Sequence, residues 1–169
     1  CFVLTAILSG ALESVYGVWV LAALALCALG DILLIPSGTR TFLAGMGAFA
    51  LGHAAYIAAF VSGGADPGIL FFTAAGAMAI FSALALRWLW RHLGSFRWPV
   101  TGYALIIAAM VATSTLAAPP DNGSVLMVIF GAFAFAVSDL AVAREKFVSA
   151  NFLNKLWGLP LYYGGQLML

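Results

Sequence analysis

Charged side chains are scarce here: only 8% of the 169 residues are Asp, Glu, Lys or Arg. A soluble domain carries roughly 25%, so the shortage excludes a protein wetted on all sides. Net charge is only +1, which gives no bulk attraction to nucleic acid, and no nucleic-acid partner is expected. Cysteine is nearly absent, with Cys1 and Cys27 both in apolar stretches; they read as small buried hydrophobes. The two histidines, His53 and His92, are scattered and form no zinc motif with them. There is no Gly-rich phosphate loop followed by Lys-Ser or Lys-Thr. No metal and no cofactor is expected.

What the chain has in plenty is apolar length. It is 64% hydrophobic with a mean hydropathy of +1.10. Uninterrupted runs of about 20 residues, enough to cross a bilayer, recur from end to end. Only helices and closed barrels satisfy every backbone polar group in lipid, and the runs lack alternation. The expected fold is therefore all-α: a polytopic transmembrane helix bundle of about seven spans, forming one transmembrane helical domain over 1–169. The lipid bilayer is its surroundings, in a bacterial inner membrane or an endomembrane. A partial helix is expected at about 1–10, and full spans at about 15–35, 41–62, 69–91, 98–118 and 124–143. A last helix begins near 155. The chain starts at Cys1 inside an apolar run, without Met or a basic leader; part of a first helix is expected to be missing.

Short loops carry turn chemistry: "PSGT" (36–39), "SGGADPG" (62–68) and "APPDNGS" (118–124). Charge sorts these loops into two sets. Arg40, then Arg87, Arg91 and Arg97, then Arg144, Lys146 and Lys155 fall at alternate connections, and these are all seven basic residues. The opposite connections hold Glu13, Asp66 and Asp121. The positive-inside rule places the basic loops on the cytoplasmic side. Trp88, Trp90 and Trp98 around the central basic loop read as an aromatic belt, and Arg87, Arg91, His92 and Arg97 as orientation and head-group contacts.

Three ionisable residues interrupt the apolar runs: Asp31, His53 and Asp139. Each costs about 2.5–3.5 kcal/mol at a helix centre on insertion scales, so each asks for a reason. Asp31 stands five residues before Pro36, and Asp139 five before Arg144. That spacing predicts similar depth in the cytoplasmic half, on different helices, with one cavity shared between them. The plainer alternative is interhelical glue, or pairing with Arg40 or Arg144. Phe49, His53, Tyr56 and Phe60 share a helical face, with Ala44, Ala48 and Gly52 as a small-residue ridge beside it. In "LPLYYGGQLML", Gln166 can share a face with Tyr162 or Tyr163; interface anchoring is the plain alternative for the tyrosines.

Two carboxyl groups in a low-dielectric cavity suit acid–base work. Desolvation disfavours the charged form of a carboxyl group, so one can hold a proton to donate. A better solvated partner stays ionised as base or electrostatic stabiliser. Access from lipid favours an amphiphilic substrate.

The string "GDILL", then "FLAGMGAFALGHAAYIAAF", "SDLAVAREKF" and "YYGGQLML", resembles the YhhN-like lysoplasmalogenase family of small multi-helix membrane proteins. The matching positions are Gly30 and Asp31; Phe42, Gly45, Phe49, His53 and Tyr56; Ser138 and Asp139; and Tyr162, Tyr163 and Gln166. "RWP" (97–99) fits the same pattern. The resemblance implies about eight helices, of which this chain supplies six and part of another. It implies a hydrolase with a membrane-lipid substrate, cleaving the vinyl ether bond of lysoplasmalogens to a fatty aldehyde and a glycerophospho-ethanolamine or -choline. Asp31 and Asp139 are then the expected catalytic pair. His53, Tyr56, Ser138, Tyr162, Tyr163 and Gln166 are expected to bind substrate or support the pair. Paired intramembrane aspartates also fit a small-solute or proton-coupled transporter, although no repeat or broken span points that way. A non-enzymatic scaffold is the third reading. The last span lacks the midspan lysine of a retinal protein.

Overall fold

The structure is a computed structural model, and it describes residues 2–117 and 124–169. Most of the expected turn at 118–124, with Asp121, lies outside the described residues, as does Cys1. Among the described residues are seven α-helices and no strand: α1 (Phe2–Leu8), α2 (Val15–Leu34), α3 (Thr39–Val61), α4 (Ile69–Leu89), α5 (Arg97–Thr113), α6 (Val125–Phe147) and α7 (Phe152–Met168). The five helices α2 to α6, α5 taken with the short 3-10 turns at both of its ends, are long and apolar enough to cross a membrane. The chain is a multi-pass membrane protein. α7, with 17 residues, is at the short end of the ~17–25 that span a bilayer.

Local chemistry sets the helix ends. Ser14 caps α2, its Oγ accepting from the Gly17 amide at 3.0 Å, which satisfies one of the orphan donors of the first turn. α2 ends at Leu34, with Ile35 still in helical geometry as its C-cap; Pro36 follows, and without an N–H it cannot continue the helical hydrogen bonds. The Thr41 hydroxyl donates back to the Gly38 carbonyl at 2.8 Å, tightening the entry to α3. The Asn151 side chain accepts from the Leu153 amide at 3.1 Å and starts α7, three residues earlier than expected. Pro99 sits in the first turn of α5, where its missing N–H costs nothing. α7 runs through Pro160 without interruption. α6 continues to Phe147, four residues past the expected boundary at 143.

α3 is the hub and α4 the rim: half of α3's spanning residues are buried, against 6% for α4. The α2–α3 contact is close because Gly52 lacks a side chain. A Cβ there would lie 2.8 Å from Cys27 Sγ. The ridge that packs is Gly45, Ala48 and Gly52, whereas Ala44 is exposed; the expected ridge is displaced by one residue at its first position. The α6–α7 crossing depends on a reciprocal pair, since a Cβ on Gly131 or on Gly165 would meet the other's carbonyl oxygen at 2.8 Å. An aromatic core of Phe49, Tyr56, Phe60 and Phe135 fills the centre.

Three phenylalanines tie one end of the bundle together. Phe42 opens α3, Phe96 lies in the α4–α5 connection and Phe147 closes α6. Their ring centroids are 5.9, 5.6 and 5.4 Å apart pairwise. The α2–α3, α4–α5 and α6–α7 connections therefore share one end, and all seven basic residues gather there. Arg97 lies over the Trp90 ring and Lys146 over Phe42. Trp98 is 79% exposed, as a lipid-facing anchor requires.

Candidate functional site

Asp31 occupies the last turn of α2, and Asp139 lies on the inner side of α6. Both line one cavity of about 450 Å³ enclosed by α2, α3, α6 and α7. The two carboxylates differ in their surroundings. Asp31 is exposed to the cavity mouth, while the Asp139 side chain is 10% exposed.

Each carboxylate has its own support. The Tyr162 hydroxyl donates to Asp31 Oδ2 at 2.8 Å. One turn further along α7, Gln166 Nε2 donates to that hydroxyl at 3.2 Å, as an i, i+4 pair on one face allows. Asp139 Oδ2 lies 3.1 Å from His53 Nε2, and the Tyr103 hydroxyl is 3.1 Å from the same nitrogen. His53 Nδ1 faces Met110 Sδ at 3.2 Å. The imidazole is fully buried, with Phe135 edge-on at 4.7 Å between centroids. His53–Asp139 is the one contact of a basic side chain with a carboxylate at salt-bridge distance among the described residues. Neither Arg40 nor Arg144 pairs with an aspartate; Arg144 donates to Asn154 instead.

A second pocket, of about 100 Å³, opens between α3, α4, α5 and α6. Apart from Asp139, Tyr103 and Ser82, its walls are apolar. Leu34, Phe49, Asp139 and Val142 border both spaces, so Asp139 stands where the apolar slot meets the larger cavity that Asp31 also lines. Glu145, Asn154 and Lys155 form the outer rim of that cavity. Asn154 organises the corner: its Nδ2 donates to Glu145 Oε2 at 2.6 Å and to the Ser149 carbonyl at 2.7 Å.

The structure gathers four of the residues expected around the aspartates. His53, Tyr162 and Gln166 join their networks, and Ser138 borders the cavity, its hydroxyl donating to the Phe135 carbonyl at 2.6 Å. Tyr56 and Tyr163 stand apart. Tyr56 is fully buried, stacked on Phe60 at 6.1 Å, and its hydroxyl has no hydrogen-bond partner among the described residues. Tyr163 is 46% exposed and stacks on Phe2 at 5.8 Å, because adjacent residues point about 100° apart on a helix. Tyr103 and the rim residues Glu145, Asn154 and Lys155 are additions that the sequence reading did not single out. Among the described residues, no three His, Cys, Asp or Glu side chains gather as a metal site.

A model of the YhhN family matches residues 1–169. Over 138 residues the chain is 38% identical to a protein of Mycobacterium bovis named lysoplasmalogenase, covering 79% of this chain and 51% of that one. Over 153 residues it is 31% identical to the mouse protein named lysoplasmalogenase TMEM86B, covering 89% of this chain and 62% of that one. The chain thus spans about half the length of the mycobacterial relative. No solved structure matches it.

Proposed function

The chain belongs to the YhhN family, and from that premise we propose that it hydrolyses the vinyl ether bond of lysoplasmalogens, releasing a fatty aldehyde and a glycerophospho-ethanolamine or -choline. The observation that carries this reading is the placement of Asp31 and Asp139, from two helices, on one cavity that adjoins an apolar slot. The names of the mycobacterial and mouse relatives support the reaction.

The chemistry assigns work to both carboxyl groups. Protonation at the β-carbon of a vinyl ether gives an oxocarbenium ion. Water adds to it and loses a proton, and the hemiacetal collapses to aldehyde and alcohol. Asp139 borders the apolar slot and is hydrogen-bonded to His53, so it is the group assigned to protonate carbon. Asp31 lies at the exposed mouth of the cavity and accepts a hydrogen bond from Tyr162, and it is assigned the role of the carboxylate. It then stabilises the oxocarbenium charge and takes the proton of the attacking water, as the second carboxylate does in glycoside hydrolysis. The alkenyl chain lies in the slot between α3, α4, α5 and α6, with the head group toward the rim of Glu145 and Lys155. His53, Tyr103, Tyr162 and Gln166 are positioning residues.

The basic end of the bundle faces the cytoplasm in this account. A cysteine placed at exposed Ser149 should react with an impermeant thiol reagent only after the membrane is opened. The reaction is tested by assaying aldehyde release from a 1-alkenyl lysophospholipid by the purified whole protein. Turnover is expected. Its absence in a folded protein would remove the hydrolase reading, and proton-coupled solute uptake in liposomes would replace it with a carrier.

A further inference from the structure

The α6–α7 corner holds charge that the proposed chemistry leaves unused. Glu145 and Lys155 border the same cavity as Asp31 and Asp139. Glu145 follows Asp139 by six residues on α6, a rise of about 9 Å toward the basic end. Lys155 precedes Tyr162, the donor to Asp31, by seven residues on α7, a rise of about 10 Å. The helices run in opposite directions, so the two charges stand level with each other, roughly two turns outside the carboxylates.

The corner is fixed as well as charged. Glu145 Oε2 accepts from the Asn151 amide at 2.8 Å and from Asn154 at 2.6 Å, and Asn154 also accepts from Arg144. Both bonds to Glu145 fall on Oε2, which leaves Oε1 for a ligand cation. Lys155 is exposed, and its flexible ammonium suits a phosphate as a point charge.

Resting on the hydrolase reading above, we propose that Glu145 and Lys155 form a head-group subsite that selects zwitterionic lysophospholipids: Lys155 pairs with the phosphate and Glu145 with the amine cation. Five single bonds separate the ether oxygen of such a lipid from its phosphorus, about 6 Å when extended. The reach of a lysine side chain covers the remaining few ångströms. Glu145 repels a head group whose only charge is the phosphate and gives an uncharged one nothing to bind.

The test uses the whole protein in detergent and saturated 1-alkyl ether lipids, which lack the double bond and cannot turn over. Binding is measured for lysophospholipids with ethanolamine, choline or glycerol head groups, and for an alkylglycerol without phosphate. Lys155→Ala should weaken the three phosphate lipids about three- to tenfold and spare the alkylglycerol, and Lys155→Arg should restore them. Glu145→Gln should weaken the ethanolamine and choline lipids but not the glycerol one. With alkenyl substrates the same changes should raise KM and leave kcat. Should Glu145→Gln loosen the corner, Lys155→Glu on its exposed position carries the test by lowering affinity for phosphate lipids alone. Losses equal across all four lipids, or no loss, would overturn the subsite. Selective binding without any turnover would keep the subsite and remove the hydrolase; turnover with head-group-blind binding would do the reverse.

Discussion

The imidazole Nε2 of His53 lies 3.1 Å from Asp139 Oδ2, with His53 fully buried and Asp139 nearly so. A histidine and an aspartate from α3 and α6 are thereby hydrogen-bonded to each other inside a helix bundle. Removing one partner of a buried pair leaves the other uncompensated, a change that costs about 3–5 kcal/mol where the remaining group stays charged.

His53→Phe should therefore lower the thermal midpoint in detergent by several degrees and reduce turnover by at least about tenfold. The fall in turnover corresponds to the loss of a hydrogen bond to a charged group, about 1.5–3 kcal/mol. Tyr103→Phe removes the hydroxyl that contacts the same nitrogen and should act in the same direction but less. Unchanged rates in both variants would show that Asp139 needs no positioning.

Tyr162→Phe deletes the donor to Asp31 while keeping the ring, which packs on Phe135 at 5.1 Å. Loss of about 1.5–3 kcal/mol of stabilisation of the carboxylate predicts a roughly 10- to 100-fold lower kcat with KM little changed. Tyr163→Phe is the control: its ring lies outside the site, stacked on Phe2, and activity should stay at the wild-type level.

Tyr56→Phe should leave activity intact and should not destabilise. The Tyr56 hydroxyl is buried without a partner among the described residues, and an unmet buried hydroxyl is a cost rather than a gain. A loss of turnover would mean that Tyr56 reaches the chemistry after all.

Gly165→Leu forces α6 and α7 apart, because even a Cβ would stand 2.8 Å from the Gly131 carbonyl. Overpacking of this kind costs typically 1–3 kcal/mol. Its neighbours Tyr162 and Gln166 would move with the helix, so turnover should fall together with the thermal midpoint. Gly164→Leu, with nothing within 4 Å of its would-be Cβ, should be tolerated.

Much of this site was readable from the chain because charge in an apolar run is expensive. Asp31, His53 and Asp139 announced themselves by cost, and the segregation of seven basic residues correctly gathered three connections at one end. Residues that are cheap to place in lipid gave no such signal. Tyr103 looks like any aromatic in an apolar helix until its hydroxyl is seen beside His53. One-residue offsets were also beyond reach: Tyr162 faces the cavity and Tyr163 faces away, Gly45 packs where Ala44 was expected to. The helix α6 outran its predicted end at 143 because Arg144 and Lys146 mark the edge of the lipid, not the end of the helix. Glu145 and Lys155 lay in a stretch that reads as a polar loop, and only the turn between α6 and α7, which Asn154 braces, brings them over the cavity.

The central claim is that Asp31 and Asp139 act as one unit on a shared cavity. Its most direct measurement is aldehyde release by Asp31→Asn, Asp139→Asn and the double variant, beside the wild type. Groups that act as a unit are strongly non-additive. Each single change should cost about 10²-fold or more, and the double variant should be no slower than the worse single one. Wild-type turnover in either single variant, or losses that multiply in the double, would contradict the account.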